Sequence, residues 1–296
     1  MTSEVIAGTT RASYPERMSD ESDISVRPLL QTKSMALRDM ACDGKCKHRS
    51  VEECSTATFM AFLYRGVYIR HVGRSDAVAD ANQVVFFNEA ESYRISHPVE
   101  GGDACISLAL DELLLRELVP KEHLRAEGPL AFVEQRFRID SDTQALAAQL
   151  RHGLVRQVTE TLEAETMALT LVRRALGGRA SHAARASLGR QKLVDRAKLA
   201  LSSDLARRWT LADVAAEVGV SPVYLTQAFQ QVEGMPLYRY QLRLRLARAL
   251  DLLGRYDDLS TLSMDLGFSS HSHFTAAFRQ TYGRTPADFQ RSIRLR

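Results

Sequence analysis

Four side chains that could bind a soft metal ion or react as thiols lie within 13 residues near the start of the chain. They are Cys42, Cys46, His48 and Cys54. Thiolate and imidazole are the groups that Zn²⁺ prefers in proteins. The cluster therefore indicates a zinc- or thiol-sensing site, although incidental cysteines on a surface segment would give the same pattern. Residue types alone leave both interpretations open.

A second set of polar side chains occurs twice near the other end of the chain. Residues 211–229 and 259–278 share one pattern, offset by 48 residues before a glycine and by 49 after it. Each copy places hydroxyl, amide or imidazole groups just after the glycine. A glutamine amide can pair with the edge of adenine, and a valine can contact the methyl group of thymine. The candidate base-reading residues are Val223, Tyr224, Thr226, Gln227, His271, Ser272, His273 and Thr275.

The elements that must position these side chains follow from the same pattern. In the first copy, apolar residues mark the buried face of a short helix, and Gly219 can end it in the left-handed conformation. Ser221 can cap the next helix, and Pro222 suits its first turn. In the second copy, Gly267 ends the helix and Ser269 or Ser270 caps the next one. The sequence therefore predicts two helix-turn-helix units, at 210–231 and 259–281.

The stretch between the copies, residues 238–253, predicts one helix about 24 Å long. A rigid connector of this kind would let one chain reach two successive major grooves, which repeat every ~34 Å. Residues 190–296 carry 16 Lys and Arg against 10 Asp and Glu, whereas residues 1–189 carry 23 against 26. A basic C-terminal part indicates a polyanion partner. The candidate phosphate contacts are Arg239, Arg243, Arg279 and Arg284.

The first half of the chain shows a different pattern. Short runs rich in aromatic and branched residues between 58 and 109 alternate with turn residues, which predicts a β-barrel or sandwich. Apolar residues recur every four positions within 141–176, which predicts a helix or helix pair that either packs on the sheets or serves dimerisation. We therefore expect an α+β two-domain protein. Its predicted parts are a loose arm over 1–27, a sensing and dimerisation domain over 28–176, a linker over 177–189 and an all-α domain over 190–296.

The C-terminal pattern resembles the AraC/XylS family of transcription regulators over about 190–292. The first copy, the stretch 243–253 and the closing stretch 278–289 carry the resemblance. Two residues depart from the family pattern: Ser263 stands where alanine is usual, and Gln290 where arginine is common. The resemblance implies that the base contacts fall on Val223, Thr226, Gln227, His271, Ser272 and Ala276.

The N-terminal half is similar, less specifically, to the cupin-like sensing barrel of that family, over 59–110. The resemblance implies that this barrel holds a small-molecule effector. Catalytic cupins use a His-x-His pair, which residues 40–130 lack, so we expect no enzyme activity. Four side chains could line a pocket for an acidic ligand, or could equally face solvent: Arg70, His71, Arg94 and His97.

The sequence thus predicts an effector-controlled transcriptional regulator, either an activator or a repressor, that binds promoter or operator DNA in the cytoplasm. A zinc or thiol sensor using Cys42, Cys46, His48 and Cys54 is one alternative. A constitutive DNA-binding dimer without an effector is another. The expected partners are double-stranded DNA, a small-molecule effector, a second copy of the chain and, for an activator, RNA polymerase. No apolar run is long enough to cross a membrane.

Overall fold

Ten strands and ten α-helices form the described part of the chain, with nine of the strands preceding the first helix. The structure is a computed structural model and describes residues 24–177 and 186–294. Strands β1 to β10 cover Ile24–Gln31, Met35–Cys42, Glu53–Cys54, Phe59–Gly66, Tyr68–Val72, Ser75–Ala79, Gln83–Phe87, Ser92–Ser96, Asp103–Leu110 and Arg136–Arg138. Helices α1 to α10 cover Glu112–Leu118, Ser141–Val155, Thr161–Gly177, Leu188–Ser203, Leu211–Glu217, Pro222–Glu233, Leu237–Leu252, Leu259–Asp265, His271–Tyr282 and Pro286–Arg294.

The strands form two antiparallel sheets. The larger sheet has the order β1-β2-β9-β4-β7-β10, and the smaller has the order β3-β8-β5-β6. Alternation along β4 explains the layering, because successive strand residues point to opposite faces. Phe59 and Ala61 lie in the core shared with the smaller sheet. Met60 and Phe62 pack instead with α2 and α3. The larger sheet is therefore a central layer with apolar residues on both faces.

Helices α2 and α3 cover that second face. Leu150 and Leu154 of α2 are buried, as are Leu171 and Val172 of α3. The periodic stretch 141–176 is thus a helix pair packed on the chain's own sheet, rather than one continuous helix. Leu162, at the start of α3, is 75% exposed. These contacts occupy the apolar stripe that also fits a dimerisation helix.

The remaining helices pack in two clusters that share α7. One cluster joins α4, α5 and α6 to one side of α7. The other joins α8, α9 and α10 to its opposite side. The N-terminal part contributes to both, because Ala81, between β6 and β7, lies in the first cluster and Ala145 and Ala148 of α2 lie in the second.

The architecture confirms the predicted α+β fold with a strand-rich N-terminal part and an all-α C-terminal part. Most of the arm predicted over 1–27 lies outside the described residues, as does 178–185 of the predicted linker. Strand β1 begins inside the predicted arm, at Ile24. None of the helices in the described ranges is long and apolar enough to cross a membrane.

Candidate nucleic-acid interface

The first helix-turn-helix unit consists of α5 and α6. Thr210 and Asp213 form a reciprocal capping box at the start of α5. Gly219 takes a positive φ of 70° in the turn. Ser221 then caps α6 by accepting a hydrogen bond from the Tyr224 amide at 3.2 Å. Leu225 and Phe229 are fully buried and fix the inward face of α6, so the opposite face projects from the domain.

The second unit, α8 and α9, repeats this design with a longer turn. Ser270, one of the two predicted caps, accepts a hydrogen bond from the His273 amide at 3.1 Å. Phe274 and Phe278 are buried as the inward anchors of α9. Gly267 has a φ of 77°, and a Cβ on it would lie 2.1 Å from the Ala206 carbonyl oxygen. Only glycine fits this turn, because it combines a left-handed backbone with a close approach to the 205–207 loop.

The predicted base-reading residues lie on the outer faces of the two second helices. Val223 is 68% exposed and Tyr224 is 41% exposed, and Thr226 and Gln227 are exposed beside them. Thr226 Oγ1 donates to the Pro222 carbonyl at 2.9 Å, one turn back along the helix. Among the described residues the Gln227 amide has no hydrogen-bond partner, so it is free to meet a ligand.

The corresponding side chains of α9 make more contacts with their own helix. His273 Nδ1 lies 3.1 Å from Ser269 Oγ, and its ring stands edge-on against Phe268. His271 Nε2 lies 3.4 Å from the half-buried Thr275 hydroxyl. Ser272 and Ala276 are exposed. The polar groups of the second unit are therefore more occupied by local contacts than Gln227 is in the first.

The four candidate phosphate contacts divide into two pairs. Arg239 and Arg279 are exposed. Arg243 is half-buried and donates to the Ile139 carbonyl at 2.6 Å, and burial lowers its pKa. Arg284 is half-buried with its guanidinium 4.5 Å from the centre of the Phe289 ring, and burial lowers its pKa too. The structure thus places Arg243 and Arg284 in packing contacts, because each has a partner within the fold.

Arg245 links the two units, a role that the helical pattern of α7 does not indicate. Its Nε donates to the Leu205 carbonyl at 2.6 Å, ahead of the first unit. Its Nη1 donates to the Gly267 carbonyl at 3.2 Å, in the turn of the second unit. A single planar guanidinium thereby connects both units, because its five donors point in fixed directions. No short-range pattern predicts this, since the partners lie 40 and 22 residues away.

Ser263 and Gln290, the two residues that depart from the family pattern, both make hydrogen bonds within the fold. Ser263 is fully buried, and its hydroxyl donates to the Ser260 carbonyl at 2.7 Å. The Gln290 amide donates to the carbonyls of Leu253 and Tyr256 at 2.8 and 2.6 Å. Gln290 therefore ties α10 to the end of α7 rather than facing outward.

Polar contacts join the N-terminal part to α7 and to α4, which packs against the first unit. Tyr240 donates its hydroxyl to the buried Asp80 carboxylate, and burial raises the pKa of Asp80. Arg136 of β10 donates to Asp195 of α4 at 2.9 Å. Burial opposes the ionisation of Glu233, but the Lys198 ammonium beside it lowers the Glu233 pKa. These contacts connect the sheets to the helices that carry the first unit.

The polar side chains predicted near the N-terminal sheets are not brought together as one pocket. His71 is held by Asp76 at 2.6 Å and by Ser96 at 2.9 Å. Arg94 lies at the surface and donates to Glu52 at 3.1 Å. Arg70 is fully buried, and its Nε and Nη1 atoms have no partner. Of these side chains, therefore, only Arg70 presents unused donors inside the fold.

The structure brings together only two of the four predicted residues Cys42, Cys46, His48 and Cys54. His48 and Cys54 are exposed and belong to no cluster of ligand-type groups among the described residues. His97 lies beside Cys42 and Cys46 instead. Burial alone would lower the pKa of His97, but hydrogen bonds with Asp103, Cys42 and Cys46 raise it to about 10. Sequence spacing could not show this, because His97 follows Cys46 by 51 residues and reaches it only through strand pairing.

Comparison with known proteins supports the assignment of the C-terminal part. A family described as "Helix-turn-helix domain" matches residues 214–292. The regulatory protein PocR of Salmonella typhimurium is 36% identical over 94 residues, 31% of this chain and 30% of that protein. A putative AraC-like transcription regulator of Streptomyces lividans is 29% identical over 64% of this chain and 62% of its own length. The probable transcriptional regulator LumQ of Photobacterium leiognathi is 27% identical over 80% of this chain and 93% of its own.

The matches differ in how much of each relative they cover. The chain spans about a third of PocR and somewhat less than two thirds of the Streptomyces protein. The family match thus lies in the helical C-terminal part, where the predicted helix-turn-helix domain is confirmed.

Proposed function

We propose that this chain is a transcriptional regulator of the AraC/XylS family and that it binds a double-stranded operator through α6 and α9. The observation that carries the proposal is the pair of capped helices whose outer faces are exposed while their inner faces are anchored. An α-helix fits the major groove of B-DNA, where each base pair presents a distinct set of donors and acceptors. Arg245 and α7 hold the two helices in one frame, so a single chain contacts two neighbouring grooves.

The two units contribute unequally to this recognition. Gln227 offers an unpaired amide to a base edge, and Val223 beside it offers an apolar contact. His271 and His273 already contact neighbouring residues, and Ala276 can make only an apolar contact. Specificity therefore rests mainly on the first unit, and the second adds position and affinity. Arg239 and Arg279 supply phosphate contacts, which strengthen binding to any sequence.

Capture and sequencing of genomic DNA fragments by the purified full chain tests this function. We expect enrichment of fragments that share one site, and footprints in two major grooves about one helical turn apart. Binding to the enriched site should exceed binding to random DNA by at least about 1,000-fold at physiological salt. Equal affinity for enriched and random fragments would refute sequence-specific regulation.

An effector site at Arg70 is the second part of the proposal. Arg70 lies on the same face of β5 as Tyr68, which packs in the core between the two sheets. Its Nη2 donates to Glu91 at 2.7 Å, while its guanidinium lies 4.4 Å from the centre of the Phe87 ring. A buried arginine with two unused donors, Nε and Nη1, can donate to an added anionic group such as a carboxylate. The effector class proposed is therefore a small organic acid.

Thermal shift measurements on the full chain separate effector control from constitutive binding. A ligand that binds only the folded state raises the melting temperature by linkage. We expect selected carboxylic acids to raise it in the natural chain and not in Arg70→Gln. A chain that binds its operator unchanged in the presence of every acid would favour the constitutive dimer. We also propose that the chain forms a dimer, which sedimentation of the purified protein measures. If the regulator is an activator, it should contact RNA polymerase, which is tested by transcription from the captured promoter.

A further inference from the structure

Two cysteines, a histidine and an aspartate meet where three strands end. Cys42 is the last residue of β2 and pairs with Asp103, the first residue of β9. His97 directly follows β8. Cys42 Sγ, a ring nitrogen of His97 and a carboxylate oxygen of Asp103 all lie within 4.8 Å of one another. Cys46 Sγ lies 3.8 Å from His97 Nδ1. These four residues are called the β2–β9 cluster below.

The orientation of His97 fits metal binding. Its Nε2 lies 2.6 Å from Asp103 Oδ1, which leaves Nδ1 facing the sulfur of Cys46. Histidines that bind metals commonly donate their other ring N–H to a carboxylate, which fixes the ring and its tautomer. Nitrogen and sulfur ligands of one tetrahedral Zn²⁺ lie about 3.6 Å apart, given Zn–N and Zn–S bonds of ~2.1 and ~2.3 Å. The separation of 3.8 Å between His97 Nδ1 and Cys46 Sγ is close to that spacing.

The backbone around the cluster is held by contacts that do not depend on an ion. The His97 amide donates to the Cys46 carbonyl at 2.8 Å, and the Gly44 amide donates to Cys42 Sγ at 3.4 Å. Gly102 has a φ of 63°, and a Cβ there would lie 2.0 Å from the Cys42 carbonyl oxygen. The loop that follows Cys42 and the loop that contains Gly102 can therefore approach this closely only with glycine at 102. This contact holds the backbone beside the proposed ligands in place before an ion binds.

We propose that the β2–β9 cluster is a Zn²⁺ site whose protein ligands are Cys42 Sγ, Cys46 Sγ and His97 Nδ1. Asp103 orients the imidazole, and the fourth position of the ion is open to water or to an added ligand. The two thiols release their protons to solvent as the Zn–S bonds form, the His97 ring releases the proton on Nδ1 as the Zn–N bond forms, and no electron is transferred. Thiolate and imidazole favour Zn²⁺ over Mg²⁺ or Ca²⁺, which take oxygen ligands.

The site goes beyond the proposed regulator because neither DNA binding nor the Arg70 site requires it. Its ligands come from both sheets: Cys42 belongs to the six-stranded sheet, while His97 continues a strand of the four-stranded sheet. A bound ion would therefore join the two sheets at one end. Half-buried Cys46 provides the side from which the ion enters.

Metal titration of the reduced, chelator-treated full chain tests the site. Zn²⁺ should bind with a stoichiometry of one ion per chain and raise the melting temperature. Co²⁺ added in its place should produce the intense thiolate-to-cobalt absorption of a cysteine-ligated ion. Cys46→Ser should markedly lower that absorption, because Cys42 is then the one thiolate ligand of the proposed set that is left, and Asp103→Asn should weaken zinc affinity about 10–100-fold through the orienting contact. Cys54→Ser and His48→Ala, both at exposed positions, are the matched controls and should bind as the natural chain does.

The Cys46→Ser variant distinguishes loss of the metal site from loss of the fold. Cys46 is half-buried, so Cys46→Ser should retain the circular dichroism spectrum of the natural chain even where variants of the buried His97 fail to fold. Unchanged cobalt absorption in Cys46→Ser would overturn the site, as would its loss in Cys54→Ser. A natural chain that binds less than one ion in ten molecules at saturating Zn²⁺ would also overturn it. The site would likewise be overturned if Cys42 and Cys46 formed a disulfide and the chain still bound no metal after that disulfide was reduced.

Discussion

Arg151 of α2 donates to the carboxylate of Asp251 on α7 at 2.8 Å, across the boundary between the sheet-bearing part and the helix-turn-helix units. The same guanidinium donates to Asp39 of β2 at 3.1 Å and covers the Tyr64 ring at 3.8 Å. The Asp251 side chain is only 1% exposed. One arginine therefore ties the central sheet to the connector that orients both units.

Arg151→Ala should destabilise the full chain by about 3 kcal/mol, because removing one partner of a buried ion pair strands the other charge. The loss should not be larger than this, because Asp251 keeps its ion pair with Arg248 in the variant. Urea denaturation of both proteins measures the change. Arg174→Ala is the matched control, since its pair with Asp142 is 43% and 65% exposed and such pairs contribute less than about 1 kcal/mol. Equal losses in the two variants would mean that the Arg151 contact is not a structural link.

The two turn glycines offer a second comparison. Gly219→Ala and Gly267→Ala both place a side chain at a positive φ, which costs roughly 1–2 kcal/mol. A Cβ at 219 meets nothing within 4 Å, whereas one at 267 meets the Ala206 backbone. Gly267→Ala should therefore lose at least about 1 kcal/mol more stability than Gly219→Ala, by thermal or chemical unfolding. It should also weaken DNA binding more, because the clash displaces the 205–207 loop that Arg245 holds. Indistinguishable variants would argue against this close approach.

Gln227→Ala should weaken binding at the captured operator by about 1–3 kcal/mol and relax specificity at one base pair. The side chain is exposed and has no partner in the described fold, so stability should stay within about 0.5 kcal/mol. Binding is measured by fluorescence anisotropy on the natural site and on single-base variants. Gln230→Ala, at an exposed position nearly one turn along the same helix, is the control. Unchanged operator affinity in Gln227→Ala would remove this residue from the recognition surface.

Local contacts explain what could be predicted from sequence. The cap at Ser221 and the turn at Gly219 involve neighbours within three residues, so their spacing is visible in the chain. Strand β6 is difficult to predict because it begins with Ser75 and Asp76, residue types that are typical of turns, and it is a strand only through its pairing with β5. The contact between His97 and Cys46 depends on the fold in the same way. His48 is predicted to belong to the site instead, because it lies close to Cys46 in the sequence. The burial of Arg243 also could not be predicted from the sequence. An arginine on a helix is expected to be exposed, and here the contact with Ile139 of the N-terminal part covers it.

Arg239 and Arg243 should separate phosphate contact from packing. Arg239→Ala should reduce the slope of log affinity against log salt by about 1, because one fewer counterion is displaced from the DNA. Arg243→Ala should leave that slope unchanged and lower stability instead, since its guanidinium bonds to Ile139. Anisotropy titrations over a series of salt concentrations give the slopes, and urea denaturation gives the stabilities. A reduced slope in Arg243→Ala would show that the residue turns toward DNA when the complex forms.

His152 makes the junction between α2 and α7 sensitive to pH. Its Nε2 lies 2.8 Å from the Leu250 carbonyl. Burial lowers the pKa of His152 and the neighbouring Arg151 charge lowers it further, although the bond to Leu250 opposes both. The folded chain therefore holds the ring neutral at a pH where the unfolded chain, with a pKa near ~6.5, takes up a proton.

The sign of the effect follows from that difference. Below about pH 6.5 the unfolded state binds more protons than the folded state, so the free energy of unfolding falls as pH falls. The slope for this single group approaches but does not exceed about 1.4 kcal/mol per pH unit. Denaturation of the natural chain and His152→Gln between pH 5 and 8 measures it, because glutamine can still donate to Leu250 but does not titrate. The difference in stability between the two proteins should shift toward the glutamine variant as the solution is acidified. A difference that stays constant over this range would mean that His152 is protonated equally in both states.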